Sequence, residues 1–438
     1  MASADIVVIG AGIMGMASAY HIKRNSPDKE VLVLDRYGAP GQGNTGRSNA
    51  MFQNTFSSPD NQVLANSSIE FYLHVQNELK VDIGLQQIGY LWLMSEEQLS
   101  ASEPFIRRMR SNRIETTTFA VSELRERLPN MVASPGDDED AAPMELPAIS
   151  GGIFGPKCGR LDPDKLVGFY RKEFEGMGGK LSLSTSAERL VVAPTRRLGI
   201  DGEPLVWQES QVEGVEVSGS LGGIVQAETI VLACGAWENE LLGPIGIDGH
   251  VKSKKRQLFS IPARGNGDLE RLVHARGFNA LGISPLVILP KSGVHFRPVS
   301  EENAMWVACE DEVNRPFIEV PDHDLDSYHG EAEYYANGVK PVLSSYFPAF
   351  SRAGVKAMWA GLYAYNTLDF IPFVFRKKNI IVVGGDSGSG LMKGDSLGRI
   401  VDSVYRGQDE ALLYGDAPYK VSRIGFGRRE AEKEAWVI

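Results

Sequence analysis

The most constraining feature of this chain is a glycine-rich turn between a short apolar strand and a helix. Residues 5–35 read as a strand (DIVVIG), a tight turn, a helix with apolar residues at helical spacing (IMGMASAYHIKRN) and a second strand (EVLVLD), which form one βαβ unit. The turn carries Gly10, Gly12 and Gly15 in the spacing G-x-G-x-x-G. Asp35 ends the second strand, where a carboxylate can accept hydrogen bonds from a ribose. The unit predicts a dinucleotide site.

Each glycine of this turn has a separate role. Gly10 permits the tight turn, Gly12 lets a pyrophosphate approach the main chain, and Gly15 lets the helix pack closely on the strand. The N-terminus of the helix adds free N–H groups and a partial positive charge, which favour a bound phosphate. A tight βα turn without any ligand is the alternative interpretation.

Composition narrows the class of protein. The 438 residues suffice for two or three domains, and the net charge of −11 argues against a nucleic-acid partner. The three cysteines, Cys158, Cys234 and Cys309, are too far apart for a CxxC motif and too few for a four-cysteine cluster, so we expect no metal site and no disulfide framework. We expect a reducing, cytoplasmic location and no membrane-spanning helix.

Nucleotide-type strand–turn–helix units recur at the start, in the middle and near the end of the chain. The segments between them have a different sequence pattern. This pattern predicts one discontinuous α/β domain formed by residues 1–85, 150–245 and 355–438. Residues 86–149 and 246–354 are predicted to form a second, substrate-binding domain. Its strand-like runs are broken by Pro and Gly, which is typical of antiparallel pairing.

A second glycine-rich turn, GGDSGSG, follows the apolar run IIVV and precedes a predicted helix. It contains Gly-Asp-Ser-Gly at 385–388, a sequence shared with the nucleophile loop of chymotrypsin-type proteases. Those enzymes are antiparallel barrels and need a partnered His and Asp. The α/β context of this chain therefore favours a cofactor-binding turn over a nucleophilic Ser387.

Four stretches resemble the D-amino-acid oxidase/sarcosine oxidase family of FAD enzymes: GQGNTGRSNA (41–50), QIGYLWLM (87–94), WAGLYAYNTLDFIP (359–372) and IIVVGGDSGSGLMKGDSLGR (380–399). They occur in the order that the family shows. The stretch LGIDGEPLVWQE and the last glycine turn are most similar to archaeal dye-linked L-proline dehydrogenases. The resemblance implies a Rossmann-like FAD-binding domain of the glutathione-reductase type, joined to an α+β substrate domain built on an antiparallel sheet.

The resemblance also implies which residues bind the cofactor. The residues at matching positions are Gly10, Gly12, Ile13, Met14, Gly15, Asp35, Arg36, Gly46, Arg47, Ser48, Ala187, Gly235, Trp237, Gly361, Tyr363, Gly388, Ser389, Gly390, Leu391, Met392 and Lys393. Tyr363 stands where sarcosine oxidases attach FAD through a cysteine, so we expect non-covalent FAD. The helix N-terminus after Gly390 is expected to stabilise the negative charge of the reduced flavin ring.

The resemblance places His295, Arg297 and Tyr365 as catalytic candidates, and Gln53, Tyr363 and Tyr365 at the substrate. The family pattern has an arginine where this chain has Gln53, and a neutral amide cannot form arginine's bidentate pair with a carboxylate. Either Lys393 or Arg297 replaces that anchor, or the substrate is not a free α-amino carboxylate. Buried structural roles for His295 and Arg297 are the competing interpretations.

The function that the resemblance implies is oxidation of a C–N bond of a secondary amine or amino acid, as in L-proline dehydrogenase, by hydride transfer to flavin N5. The electrons would pass to a quinone, a redox carrier or O₂; the strand holding His295 has no lysine, which favours a carrier. Alternatives are a dehydrogenase of a 2-hydroxy acid or glycerol 3-phosphate, and a flavin-binding electron-transfer subunit. A peripheral membrane surface or, alternatively, a partner subunit is the further partner that we consider.

Overall fold

The computed structural model describes residues 2–137, 141–291, 293–310, 315–427 and 429–436. The strands are β1 (Ala2–Ile9), β2 (Val31–Leu34), β3 (Met51–Phe52), β4 (Tyr90–Met94), β5 (Thr117–Ala120), β6 (Gly151–Gly155), β7 (Gly159–Arg160), β8 (Lys180–Ser182), β9 (Thr185–Pro194), β10 (Ser210–Gly219), β11 (Gly223–Leu232), β12 (Val251–Pro262), β13 (Leu286–Ile288), β14 (His295–Val299), β15 (Ala304–Ala308), β16 (Ala357–Asn366), β17 (Phe373–Lys377), β18 (Ile380–Gly384), β19 (Glu410–Leu413) and β20 (Ala417–Lys420).

The helices are α1 (Ile13–Asn25), α2 (Pro59–Asn77), α3 (Glu96–Ser111), α4 (Val121–Arg127), α5 (Pro163–Gly176), α6 (Glu238–Leu242), α7 (Gly267–Val273), α8 (Ala332–Tyr334), α9 (Lys340–Tyr346) and α10 (Gly390–Tyr405). A π-helical stretch, Tyr335–Val339, joins α8 to α9. Short 3₁₀ turns lie at Pro135–Asp137, Ala142–Met144, Gly235–Trp237, Gly243–Ile245, Leu325–Ser327, Pro348–Phe350 and Val421–Arg423.

The first sheet has the strand order β17-β18-β11-β1-β2-β8, and β10 and β9 extend it from β11. β1 lies at its centre, parallel to both β11 and β2. Alternate residues of β1 enter two different cores, because successive side chains of a strand point to opposite faces. Ile6 and Val8 pack with α1, α2, α5 and α10, whereas Val7 and Ile9 pack with the β9–β10–β11 ribbon.

The second sheet has the strand order β16-β12-β15-β14-β13-β4-β6-β5. Its pairs are antiparallel except for β13 with β4. One face packs Phe259 and Phe296 against the aromatic and aliphatic residues of the π-helix and α9. Arg256 and His295 on the other face line a cleft together with Ile9 and Leu34 of the first sheet. The expected α/β domain with a second, mainly antiparallel sheet is confirmed.

Sheet membership differs from the predicted segments at two strands. β6 and β16 belong to the second sheet, although residues 150–245 and 355–438 were assigned to the first domain. β6 is glycine-rich because its neighbours leave no room: a Cβ at Gly151 would lie 2.9 Å from Phe119 O. Glycine has low strand propensity, so the pattern did not indicate a central strand. Within residues 101–130, β5 lies between α3 and α4.

Within the described ranges, no helix combines the length and apolarity that crossing a bilayer requires. Across the same residues, no group of three or more His, Cys, Asp and Glu side chains is placed to hold a metal ion. All three cysteines are free thiols.

Candidate functional site

The glycine turn after β1 is closed by contacts that only glycine allows. Gly10 has a φ of +104°, and a Cβ there would lie 2.4 Å from Ala233 O. A Cβ at Gly15 would lie 1.8 Å from Gly10 O. Gly12 caps α1 without any side-chain hydrogen bond of its own. The turn therefore brings the N-terminus of α1 directly to the end of β1, as the G-x-G-x-x-G pattern predicts.

Asp35 ties the end of β2 to this turn. Its Oδ2 accepts a hydrogen bond from Ala11 N at 2.6 Å, and its Oδ1 accepts one from Tyr37 N at 2.8 Å. Burial raises the pKa of Asp35, although the two backbone donors oppose that shift. The carboxylate lines the same cleft as Gly10 and Gly12, which is the position that a ribose-binding acid occupies in this type of fold.

The segment 41–50 connects the two sheets. Thr45 Oγ1 accepts from Ile13 N at 3.2 Å at the start of α1, and Asn44 Oδ1 accepts from Leu362 N at 2.8 Å in β16. Arg47 donates to Leu325 O at 2.8 Å and forms an ion pair with Asp326. Arg47 is thus engaged by the second half of the chain, while its side chain still lines the cleft.

Arg36 and Trp237 lie together along the cleft. Arg36 lies over the ring of Trp237, 5.4 Å from its centroid, and its buried Nη1 has no hydrogen-bond partner among the described residues. Trp237 Nε1 donates to Asp322 O at 3.0 Å. A Cβ at Gly235 would meet no atom within 4 Å, so the cleft is open at that residue. Ala187 lines the cleft beside them.

The second glycine turn lies at the opposite end of this cleft. Gly388 has a φ of +83°, and a Cβ there would lie 2.2 Å from the ring of Tyr363. Asp386 Oδ2 accepts from Gly390 N at 2.7 Å and so caps α10. The Ser387 hydroxyl accepts from Asn366 N at 3.1 Å and donates to Gly385 O at 3.3 Å. Ser387 therefore fixes the turn through the main chain.

Two acids, the buried Glu238 and the half-buried Asp386, lie at this turn and were not predicted as site residues. Glu238 lies under Gly384, whose Cβ would fall 2.0 Å from Glu238 Oε2. Burial raises the pKa of Glu238 well above its usual range, and the nearby charge of Asp386 raises it further. Both carboxyl oxygens are buried without a hydrogen-bond partner among the described residues. Burial and the neighbouring Asp386 therefore both disfavour the charged form of Glu238.

One continuous first cleft joins both glycine turns and encloses about 1700 Å³ of empty space, the open solvent at its mouth included. Most residues predicted to bind FAD line it: Gly10, Gly12, Ile13, Met14, Asp35, Arg36, Arg47, Ser48, Ala187, Gly235, Trp237, Gly361, Tyr363, Gly388, Gly390 and Leu391. Ser389 and Met392 line only the smaller cleft described next. Gly15, Gly46 and Lys393 line neither cleft.

A second cleft of about 650 Å³ adjoins the first. Six residues line both clefts: Ser48, Asn49, His295, Tyr363, Gly388 and Leu391. The second cleft also contains Gln53, Glu434 and five aromatic residues: Phe56, Tyr90, Tyr363, Phe370 and Trp436. None of its lining residues is a lysine or an arginine. The predicted substrate residues Gln53 and Tyr363 therefore meet here.

His295 lies where the two clefts join. Its Nδ1 is 2.8 Å from Gly293 O, which fixes the tautomer that carries the proton on Nδ1. Burial, together with a smaller effect of the Arg256 charge, lowers the pKa of His295 to about 4. The imidazole is therefore neutral near pH 7, and Nε2 remains as an acceptor.

Arg256 in β12 is a site residue that was not predicted from the sequence. The strand registers place Arg256, Tyr363, Tyr365 and His295 on one face of the second sheet. Arg256 donates to Tyr365 OH and lies 5.5 Å from the Tyr363 ring centroid. It lines the first cleft, whereas Tyr365 lines neither. The run VKSKKRQ looks like a basic surface strand, so no local pattern indicated a buried arginine.

Two predicted anchor residues lie behind the clefts. Arg297 donates through Nε to Asn49 O at 2.8 Å and lies 4.1 Å from the Trp306 ring centroid. Lys393 donates to Ser389 Oγ and lies 4.6 Å from the Phe56 ring centroid. Burial lowers the pKa of Lys393 to about 7. Because Asn49, Ser389 and Phe56 line the second cleft, Arg297 and Lys393 support its wall, and their placement gives no support to direct roles in catalysis or cofactor binding.

The residues of the first cleft fit a dinucleotide that carries a flavin. The N-terminus of α1 lines the cleft and can receive a pyrophosphate, and Arg36 Nη1, which has no hydrogen-bond partner among the described residues, can serve as a donor at the same end. At the other end, α10 is a 16-residue helix whose N-terminus faces the cleft, which suits an anionic ring. The starts of both helices thus line a single cleft.

The chain matches the family model DAO, described as FAD dependent oxidoreductase, over residues 5–403. It is 26% identical over 442 residues to FAD-dependent oxidoreductase domain-containing protein 1 of Bos taurus, which covers 98% of this chain and 86% of the relative. It is 21% identical over 277 residues to L-2-hydroxyglutarate dehydrogenase of Salmonella houtenae, covering 62% of this chain and 57% of that protein.

Among solved structures, the fold is similar to L-proline dehydrogenase from P. horikoshii, with a TM-score of 0.72 and 20% sequence identity over 93% of this chain and 94% of that chain. This likeness confirms the expected fold. The family match extends from β1 into α10 and so includes both glycine turns. The chain therefore belongs to the DAO family of FAD-dependent oxidoreductases.

Proposed function

We propose that this FAD-dependent oxidoreductase oxidises a C–N bond of a secondary amine or amino acid and passes the electrons to a carrier. The observation that carries the proposal is the second cleft, which meets the cofactor cleft at His295, Tyr363 and Gly388 and is lined by aromatic rings without a lysine or arginine. An ammonium group is attracted to aromatic faces. This wall offers no cationic side chain to a substrate whose only charge is negative.

The chain's own residues have distinct parts in this proposal. His295 Nε2 accepts a hydrogen bond from the substrate nitrogen and holds it at the junction of the clefts. Arg256, which lines the first cleft and lies 5.5 Å from the Tyr363 ring centroid, receives the carboxylate when the substrate has one. Bound FAD supplies the two-electron acceptor for the C–H bond next to nitrogen. Leu391 and Met392 exclude water from the adjoining wall.

The proposal is tested by anaerobic titration of the purified yellow protein. We expect L-proline or another secondary amine to bleach the visible flavin absorbance, whereas hydroxy acids of similar size leave it unchanged. The reduced protein should then reduce an artificial dye faster than it consumes oxygen. Bleaching by hydroxy acids alone would contradict the proposal.

A 2-hydroxy acid is the second candidate substrate, and a specific observation favours it. A neutral histidine with a free Nε2 can accept the proton of a hydroxyl group as well as that of an amine. Gln53 stands where relatives that bind amino carboxylates have arginine, and it bonds to Thr55 Oγ1 at 2.9 Å. The titration above separates the two candidates directly.

Replacing His295 with asparagine should slow flavin reduction by about 100-fold or more, because proton acceptance by a positioned side chain contributes that much. Since burial lowers the pKa of His295 to about 4, the imidazole stays neutral above pH 5. The wild-type rate of flavin reduction should therefore show no ionisation of His295 between pH 5 and 9. Stopped-flow reduction across that range checks both statements.

The matched control is His274→Asn, because His274 is exposed at the end of α7. Its rate should equal the wild-type rate. If His295→Asn also reduces its flavin at the wild-type rate, His295 has no part in the reaction.

A further inference from the structure

The segment 429–436 contributes Glu434 and Trp436 to the lining of the second cleft and is fixed at its first residue. Arg429 forms a bidentate ion pair with Asp369, with Nη2 2.7 Å from Oδ1 and Nε 2.5 Å from Oδ2. It also donates to Ile371 O at 2.7 Å. Further along, Glu434 N donates to Asp369 O at 2.9 Å. The same aspartate therefore holds the segment at two points.

The Glu434 carboxylate docks the segment onto the N-terminus of α2. Oε1 accepts from Ser57 N at 2.9 Å, and Oε2 accepts from Ser58 N at 3.1 Å and from Asn61 Nδ2 at 2.9 Å. Ser58 caps α2 without a side-chain hydrogen bond of its own. A carboxylate is the group that a helix N-terminus favours. Glu434 is only 2% exposed, so this cap is a buried contact.

The same carboxylate positions Trp436. Trp436 N donates to Glu434 Oε1 at 2.9 Å. The indole ring packs at 5.3 Å from the Trp92 ring and at 5.9 Å from the Phe105 ring, measured between centroids. Trp436 also lines the second cleft. Its ring therefore closes one side of the cleft and is held by aromatic neighbours and by the backbone.

We propose that residues 429–436 form the outer wall of the substrate cleft, with Glu434 as a positioning residue and Trp436 as the residue that limits substrate size. This inference rests on the proposed function of the second cleft. The hydrogen bonds that Glu434 accepts from Ser57, Ser58, Asn61 and Trp436 occupy its oxygens, so the wall presents an aromatic face. The substrate class that fits such a wall is a compact amine with a small apolar body.

The test compares Trp436→Ala with wild type and with Trp207→Ala. Trp207 is 67% exposed between β9 and β10, outside both clefts. Two neutral ligands that cannot be dehydrogenated, pyrrole-2-carboxamide and indole-2-carboxamide, are titrated against the flavin absorbance of the holoenzyme. We expect the ratio of their dissociation constants to shift by about 10-fold towards the larger ligand in Trp436→Ala, since a few methylene volumes in an apolar pocket change selectivity by that much. Trp207→Ala should keep the wild-type ratio.

Further variants keep the inference falsifiable if Trp436→Ala fails to fold. Trp436→Phe should restore most of the wild-type ratio, and Glu434→Gln should shift it in the same direction as Trp436→Ala, because an amide is a weaker partner for a helix N-terminus. If the ratio of the two dissociation constants is unchanged in every variant, residues 429–436 do not form the outer wall of the substrate cleft. If no amine reduces the flavin but the ratio of dissociation constants still shifts, the proposed function is wrong. The inference that residues 429–436 form the outer wall of the cleft is then still supported.

Discussion

Replacing Gly15 with alanine will give a protein that retains little FAD. The added Cβ would lie 1.8 Å from Gly10 O and 3.3 Å from Ala233 Cβ. The nearer contact is backbone, and Gly10 is itself held by a hydrogen bond from Gly10 N to Leu34 O at 2.8 Å. Overpacking of this kind costs about 1–3 kcal/mol, which corresponds to roughly a 5- to 150-fold loss of affinity. The FAD content of the purified protein measures this loss of affinity.

Gly168→Ala is the control, because Gly168 also lies inside a helix and its Cβ would meet no atom within 4 Å. Alanine is the better helix former by about 1 kcal/mol, so the thermal midpoint should stay the same or rise, with full FAD content. A Gly15→Ala protein with full FAD content and an unchanged thermal midpoint would show that the turn can relax.

The second large effect is expected at Asp395, which joins three elements inside the core. Its carboxylate accepts from His21 Nε2 at 2.8 Å, from Tyr170 OH at 3.1 Å and from Arg399 Nε at 2.6 Å, and it is fully buried. Asp395→Asn removes the charge and leaves Arg399 without its ionic partner. Breaking a buried pair costs about 3–5 kcal/mol. Urea unfolding at a fixed excess of FAD should show that loss.

The control for Asp395 is an exposed pair with the same helical spacing. Arg171 and Glu175 also form an i,i+4 pair, but both side chains are exposed by more than 40%. Glu175→Gln should therefore cost about 0.5 kcal/mol or less. Equal losses in the two variants would mean that burial does not strengthen the Asp395 network.

The same network predicts a loss of stability in acid. Burial alone would raise the pKa of Asp395, but His21 and Arg399 outweigh it and hold the pKa below the usual value. Burial lowers the pKa of His21. Both groups thus bind protons more readily in the unfolded chain, so their stabilisation is present above pH 6.5 and declines as the pH falls, first through His21 and then through Asp395.

The parts of the site that local patterns encode could be predicted from the sequence. The turn at Gly10–Gly15 requires glycine at positions a few residues apart, between a strand and a helix. The spacing of these glycines can therefore be recognised in the sequence. The turn at Gly388 is visible for the same reason. Asp35 follows because the length of a βαβ unit fixes where the second strand ends.

The rest depends on contacts between distant residues. Arg256 is buried by β16 and by Tyr365, which lies more than 100 residues further along the chain. Trp436 enters the cleft because Glu434 reaches Ser57, and no spacing rule connects those positions. Arg297 was predicted as a catalytic or anchor residue, but no local pattern shows that its guanidinium bonds to Asn49 in the cleft wall.

The packing of α1 against α10 has a consequence for synthesis of the chain. The apolar face of α1 is made within the first 25 residues, yet its covering helix starts only at Gly390. A nascent polypeptide must keep that face uncovered while several hundred residues emerge, which is the situation in which exposed apolar surface leads to aggregation. Proteins shortened before Gly390 should therefore need chaperones to stay dispersed.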